Sequence, residues 1–366
     1  MRAVVLVGGA GTRLRPLTLA VPKQMLPVAE VPMIERVLTH LASQGVTEAV
    51  LSLGYRPDAF LEFLPGSRSL GLQVVPVVEP RPLGTAGAVR YAAEAAGVTE
   101  RFIAVNGDVL TDIDLVALNR FHERWGAEGT LALGRVDDPS AFGVVELEGS
   151  AATETPGARV AAFVEKPADV AGPALISVGA YVLEPSVLDR IPEARPASIE
   201  REVFPPMVAE GTLFALASAA YWADTGTPER YLQVQLDLLT GRRPGPPAPD
   251  AVDRGDGVWT IGTAVVDGEA RAPALIGTAA YVASGAQVVR SVVGAGARVQ
   301  EGAAVRDSVL LPGAVVRSDA VVERSLVGDQ AVIGEGALVS SLAVVGPNVT
   351  IEPGATLEGA CVPAAV

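Results

Sequence analysis

The chain has 366 residues, 49% of them hydrophobic, enough for two domains that each bury a core. A formal charge of −14 excludes a general nucleic-acid surface, which needs a basic field to displace counterions. One cysteine and two histidines exclude an internal disulfide and leave little for a zinc site, so metal chemistry must run on carboxylates.

The first strand expected is Ala3 to Val7, running into a glycine-rich stretch. Met33 to Ser43 has helical length and apolar spacing, and strands follow at Ala49 to Leu53 and Gln73 to Val78. A helix over Ala86 to Ala96, a strand at Phe102 to Val105, a helix over Leu115 to Trp125 and a strand at Thr130 to Arg135 complete an alternation that predicts an α/β domain with a largely parallel sheet. Closely spaced strands at Gly143 to Leu147, Arg159 to Val164 and Ala174 to Leu183 predict an antiparallel addition, making the central sheet mixed, and Tyr231 to Leu239 reads as a closing helix. This first domain spans 1–240. Proline-rich GRRPGPPAPD, 241–250, opens a linker over 241–257.

From 258 to 366 a six-residue period holds. Aliphatic residues recur at Ile276, Val282 and Val288, slip by one residue to Val293, Val299, Val305 and Leu311, and return at Val327, Ile333, Val339, Val345, Ile351 and Leu357. Neither a helix nor a simple strand has this period, whereas a parallel β-helix of hexapeptide repeats, three to a triangular coil, does. No run reaches the roughly 20 apolar residues of a membrane span, and the N-terminus meets glycine after a few apolar positions, so a cytoplasmic protein without membrane partners is expected.

The stretch GGAGTRLRPLT from Gly8 to Thr18, followed by PKQMLPV from Pro22, has the features of an anion cradle. Gly8, Gly9 and Gly11 let backbone amides approach a phosphate chain, and Arg13 and Lys23 supply cations. It is neither a Walker A loop nor a dinucleotide fingerprint. Asp108 in NGDVL stands at the end of a predicted parallel strand, where ligands bind in open α/β sheets. Asp224 in YWADTGTPERYL precedes the closing helix, and as a cap it would have a purely structural role. In EPRPLGTAGAV, which begins at Glu79, Gly84, Thr85 and Gly87 enter a helix where backbone can approach a flat base. FGVV, FVEKP and ISVGAYVLEP place Gly143, Glu165, Lys166, Ser177 and Gly179 on later strands. There Glu165 can accept hydrogen bonds from two hydroxyls and Lys166 can neutralise an anion, or the two can form a solvated surface pair. SIEREVFP, from Ser198, reads as a capped helix with Arg201 facing Glu202 or solvent and no catalytic part.

These strings, read together, resemble the sugar-1-phosphate nucleotidyltransferase family, whose opening motif is GGxGTRLxPLT followed by PK and whose members often append a left-handed parallel β-helix. The resemblance covers the entire first domain. It implies a Rossmann-like catalytic domain joining a nucleoside triphosphate to a hexose-1-phosphate with release of pyrophosphate. It makes Arg13, Lys23 and Asp108 catalytic and Asp108 and Asp224 ligands of Mg²⁺. It further assigns Leu6, Gly8, Gly9, Gly11, Thr12, Glu79, Gly84 and Thr85 to the nucleotide, and Gly143, Glu165, Lys166, Ser177 and Gly179 to the sugar phosphate. PLGTAGA is similar to the base-binding segment of mannose-1-phosphate guanylyltransferases, implying GTP and mannose-1-phosphate. Two positions depart from that pattern: Ser177 stands where the family commonly has asparagine, and Gln24 is similar to the thymidylyltransferases, where guanylyltransferases usually carry proline. Glucose-1-phosphate thymidylyltransferase is the rival within the class, and a non-catalytic sensing or assembly protein the rival outside it. Acyl transfer on the β-helix is rejected, since such enzymes use a histidine base and none follows His122. The solenoid faces imply a homo-oligomer.

Overall fold

The structure, a computed structural model, describes residues 1–67, 70–149, 157–167, 172–193 and 195–364; residues 365 and 366 of the expected second domain lie outside the described residues. By packing, the chain forms two compact units, Met1–Gly9 with Ile34–Trp222, and Ala10–Met33 with Ala223–Val366. These units do not part at 241–257. The segment from Ala10 to Met33 packs with the C-terminal residues instead, so the glycine-rich loop is split between the two. Part of the stretch read as linker is itself a strand, Ala251–Asp253, antiparallel to Val258–Ile261.

The strands before the β-helix are β1 (Arg2–Leu6), β2 (Pro27–Val28), β3 (Val31–Pro32), β4 (Glu48–Leu53), β5 (Gln73–Val78), β6 (Phe102–Asn106), β7 (Val109–Thr111), β8 (Gly129–Val136), β9 (Gly143–Leu147), β10 (Gly157–Glu165), β11 (Ala174–Leu183), β12 (Leu213–Ala217) and β13 (Trp222–Asp224). The helices are α1 (Met33–Ser43), α2 (Pro57–Ser67), α3 (Gly84–Ala95), α4 (Leu115–Trp125), α5 (Ser186–Asp189), α6 (Phe204–Glu210) and α7 (Pro228–Leu239). Among the described residues no helix is long and apolar enough to cross a membrane.

The first unit is built on one nine-stranded sheet, ordered β5-β4-β1-β6-β11-β8-β12-β10-β9. β5, β4, β1 and β6 run parallel; β4, β1 and β6 are continuous aliphatic strands buried on both faces, while β5 lies at the edge with its side chains partly exposed. β11 is antiparallel to β6 and β8, and β10 to β9 and β12, which is the antiparallel addition expected. Strand β12, missed in the sequence, is parallel to β8. The core gathers Val4, Val50, Ala104, Leu131, Tyr181 and Phe204 around this sheet. Helix α2 also escaped notice, because prolines at 57 and 65 read as loop punctuation.

In the second unit three parallel sheets stack the coils of a left-handed parallel β-helix. Val292 pairs with Val309 and Val309 with Leu326. The coil is therefore one residue shorter than three hexads, and a serine recurs every 17 residues. The inward residue of the third coil side is Leu310, fully buried in the column with Val293 and Val327, and not Leu311 as the six-residue count gave. The shortened corner is taken by Arg290, Asp307 and Arg324 at positive φ. Ser291, Ser308 and Ser325 follow them, fully buried; each hydroxyl donates to a carbonyl of its own corner, and Ser291 and Ser308 each accept the backbone N–H of the next serine at 3.1 Å. One extra residue, with Ser341 and Leu342 at positive φ, restores the hexad count in the last coils.

Before the β-helix, β2 and β3 make a two-residue hairpin, with Pro27 opposite Pro32 and Val28 opposite Val31. Its central residues, Ala29 and Glu30, have φ of 45° and 71°, a conformation usually given to Asn-Gly.

Candidate active site

Of the expected residues, those of the first unit fall into two groups. The nucleotide group forms where β1, β4 and β6 end. The carbonyl of Leu6 accepts the N–H of Gly107 at 2.9 Å, carrying the chain into Asp108. Gly8 lies so close to Gly54 that a Cβ on Gly54 would stand 2.9 Å from the Gly8 carbonyl oxygen, so the Gly54 loop tolerates no side chain there. Glu79 lies against the same loop, 2.9 Å from where a Cβ of Gly8 would be, and is braced by Ser52 Oγ at 3.0 Å and the Leu83 N–H at 3.2 Å. Gly9 is exposed.

The GTAGA stretch opens α3. Gly84 adopts φ 71° with the Ala197 carbonyl directly over it. Thr85 is committed at its side chain: its hydroxyl donates to Glu200 at 2.8 Å and accepts the Ile199 N–H at 2.9 Å. SIEREVFP is thus a wall of this site, which the sequence reading missed. Its first turn is a π-turn, Ile199–Val203, with Ser198 as cap and Glu202 held by Arg195, not by Arg201.

The sugar group forms on β9, β10 and β11. Gly143 pairs with Glu165 across β9 and β10, and a Cβ on Gly143 would come 3.0 Å from Glu165 Oε2. Lys166 follows at φ 51°, its N–H bonded to Phe142 O and its ammonium 3.4 Å from Glu165. Between Ser177 and Tyr181 the register of β11 shifts, and Gly179 takes φ 74° at this bulge. A Cβ there would collide with the Asn106 carboxamide at 2.3 Å, so Asn106, two residues before Asp108, joins the group unannounced. Trp222 donates to the Val178 carbonyl at 3.0 Å and meets Phe142 edge-on. Burial pushes the Tyr181 phenol up, and the charges of Glu200 and Glu165 add to this.

In the second unit, Gly11 at φ 63° caps a short 3₁₀ turn, Thr12–Leu14, that presents Arg13. Lys23 starts a second, Lys23–Met25, with its side chain against Gly11. Gln24 beside it is buried, and its Oε1 has no hydrogen-bond partner among the described residues. Asp224 is not the cap of α7; Thr227 is, accepting the Arg230 N–H at 3.3 Å. The Asp224 carboxylate instead accepts the Gly226 N–H at 2.7 Å and pairs with Arg230, a partner six residues on that the sequence reading passed over. A Cβ on Gly226 would lie 2.8 Å from both Arg13 Nη2 and Asp224 Oδ1. That cradle holds one carboxylate, a guanidinium and a bare glycine, and the Asp224 oxygen is a hard donor of the type a divalent cation takes beside phosphate oxygens.

Residues 2–241 match the family model described as nucleotidyl transferase, and residues 270–365 the one described as GMPPB C-terminal domain. The chain is 41% identical over 304 residues to a mannose-1-phosphate guanylyltransferase of Mycobacterium tuberculosis, covering 81% of each chain. It is 41% identical over 312 residues to probable mannose-1-phosphate guanylyltransferase 1 of Oryza sativa subsp. japonica, covering 82% of this chain and 83% of the other. Among solved structures, HddC from Yersinia pseudotuberculosis, complexed with GMP-PN, superposes with a TM-score of 0.54 at 27% identity, over 64% of this chain and 97% of that one.

Proposed function

The chain belongs to the nucleotidyl transferase family, and we propose from this that it is a cytoplasmic, Mg²⁺-dependent enzyme that joins GTP and mannose-1-phosphate into GDP-mannose, releasing pyrophosphate. A phosphate oxygen of mannose-1-phosphate attacks the α-phosphorus of GTP, and the bond to pyrophosphate breaks. Arg13 and Lys23 supply positive charge where it accumulates on the α-phosphate and the leaving pyrophosphate, and no covalent nucleophile is needed. Lys166 neutralises the attacking phosphate, and Glu165 orients the sugar through its hydroxyls. Family members generally use a divalent metal; Asp108 and Asp224 would hold it here, and it would add Lewis-acid stabilisation of the phosphates. The observation that carries the chemistry is the cradle at Gly226, where Arg13 and Asp224 converge. The names of the 41% identical relatives support the choice of base and sugar.

The deciding experiment is pyrophosphate release with GTP, dTTP, UTP and ATP against mannose-1-phosphate and glucose-1-phosphate, with Mg²⁺ as the metal. GTP with mannose-1-phosphate should be fastest. A preference for dTTP with glucose-1-phosphate would replace this reading by its rival, and no turnover with any pair would make the chain a non-catalytic relative.

A further inference from the structure

Within the second unit, the strap between the glycine-rich loop and α1 is seated on the β-helix at two places. Pro16 rests on the corner that follows Val344–Val345, where a Cβ on Gly346 would lie 3.0 Å from Pro16 Cβ. Glu30 enters the corner that follows Ala274–Ile276. A Cβ on Gly277 would stand 2.5 Å from Glu30 Oε2 and 2.8 Å from Ala295 N, and the Ala295 N–H donates to the Glu30 carboxylate. Both corners belong to one sheet, with three strands between them, so the seats are about 19 Å apart at the usual interstrand spacing. Lys23 lies on the strap between them in sequence.

The other side of the hairpin is held by α7. Gln235, fully buried, accepts the Ala29 N–H at 2.6 Å and donates to Pro27 O at 2.9 Å, while the Tyr231 hydroxyl donates to the same carbonyl. Neither turn residue is glycine or asparagine, yet both occupy left-handed backbone. Such a turn persists where surrounding contacts over-determine it, and Gln235 and the Gly277 corner are those contacts.

We propose that Glu30 is a positioning residue for nucleotidyl transfer: it fixes the hairpin on the first coils of the β-helix and thereby sets where the strap presents Lys23. This rests on the role given above to Lys23. The β-helix is then a working part of the phosphate-binding loop, through a contact on its own lateral corner.

The test uses the full-length protein with Gly277→Ala, Glu30→Ala and Glu30→Gln, read by amide hydrogen exchange and by steady-state pyrophosphate release. Gly277→Ala and Glu30→Ala should speed exchange at Ala29 and Met33 and lower kcat/KM for the triphosphate by about tenfold to a hundredfold, the scale of a small misplacement of a charged group. The KM for the sugar phosphate and exchange in the central sheet should not move. Glu30→Gln should retain most activity, because its carboxamide oxygen still accepts from Ala295. Wild-type exchange and triphosphate kinetics in Glu30→Ala would overturn the proposal, as would a parallel fall in kinetics for both substrates, which marks simple destabilisation. Should Gly277→Ala fail to fold, the Glu30→Ala and Glu30→Gln pair decides by the same readouts. If the wild-type chain releases no pyrophosphate, the functional reading has failed, and exchange alone decides whether Glu30 holds the strap.

Discussion

Arg13 and Asp224 face one another across Gly226, with Nη2 of the one and Oδ1 of the other each 2.8 Å from the point a Cβ would occupy. A methyl there meets only the ends of two flexible side chains, so Gly226→Ala should leave the melting temperature near wild type while separating guanidinium from carboxylate. We expect a fall in kcat of about a hundredfold if the arrangement stabilises developing charge. Unchanged kcat in a folded variant would remove the pair from the chemistry.

Asp108→Asn and Asp224→Asn should each reduce turnover by several orders of magnitude, without unfolding the chain, if their carboxylates hold the metal. Asp224→Asn leaves Arg230 without its ion pair, so a modest loss of thermal stability accompanies it. Steady-state rates at limiting Mg²⁺ and melting curves in a chelator separate these effects; near-normal rates in either variant would sink the assignment.

Arg13→Ala should lower kcat by roughly 10²-fold with a smaller change in the KM for the triphosphate, since the charge it meets grows toward the transition state. Raised KM with constant kcat would instead make Arg13 a uniform binding group.

Burial pushes the Glu30 carboxyl up to about 7 from an ordinary 4.5, against the Ala295 N–H, which lowers it. Between those values the folded chain keeps a proton that the unfolded chain has released. Stability therefore falls as pH rises through this window, and the loss is complete above about 7. Tyr231 faces the same group from α7, its phenol pushed up chiefly by burial, so it does not titrate in that window. Glu30→Gln should flatten the slope, narrowing the difference between melting at about pH 5 and about pH 8 by up to roughly 3 kcal/mol. A variant with the wild-type slope would place the titration elsewhere.

The sequence disclosed the elements whose pattern is local. Met33–Ser43, Leu115–Trp125 and Gly143–Leu147 begin and end where their apolar spacing says they should. The hexad period disclosed the β-helix, but a slip of one residue looked like an accident because the reason for it, a buried serine at a tightened corner, is visible only when coils are stacked. The site was legible as separate strings, each with its charged residues in place. What could not be read was the partner of each string. Nothing in SIEREVFP says that Glu200 receives the Thr85 hydroxyl, and nothing in VAEV says that Glu30 seats against Gly277, because both depend on contacts between distant parts of the chain. The Ala-Glu turn lacked the glycine or asparagine that would have marked a hairpin.

The two seats of the strap also make a gauge. A solenoid of this kind changes its length along the axis only in whole coils, since single-residue changes are absorbed at its corners, as its 17- and 18-residue steps show. Between Gly277 and Gly346 even a whole coil is forbidden: it would move one seat by the spacing of a strand, about 4.8 Å, while Pro16 and Glu30 stay joined by a strap of fixed length. Beyond Gly346 lies neither of the strap's two seats. Lineages that lengthen or shorten this domain should therefore do so at its C-terminal end, and the coils between the seats should keep their number.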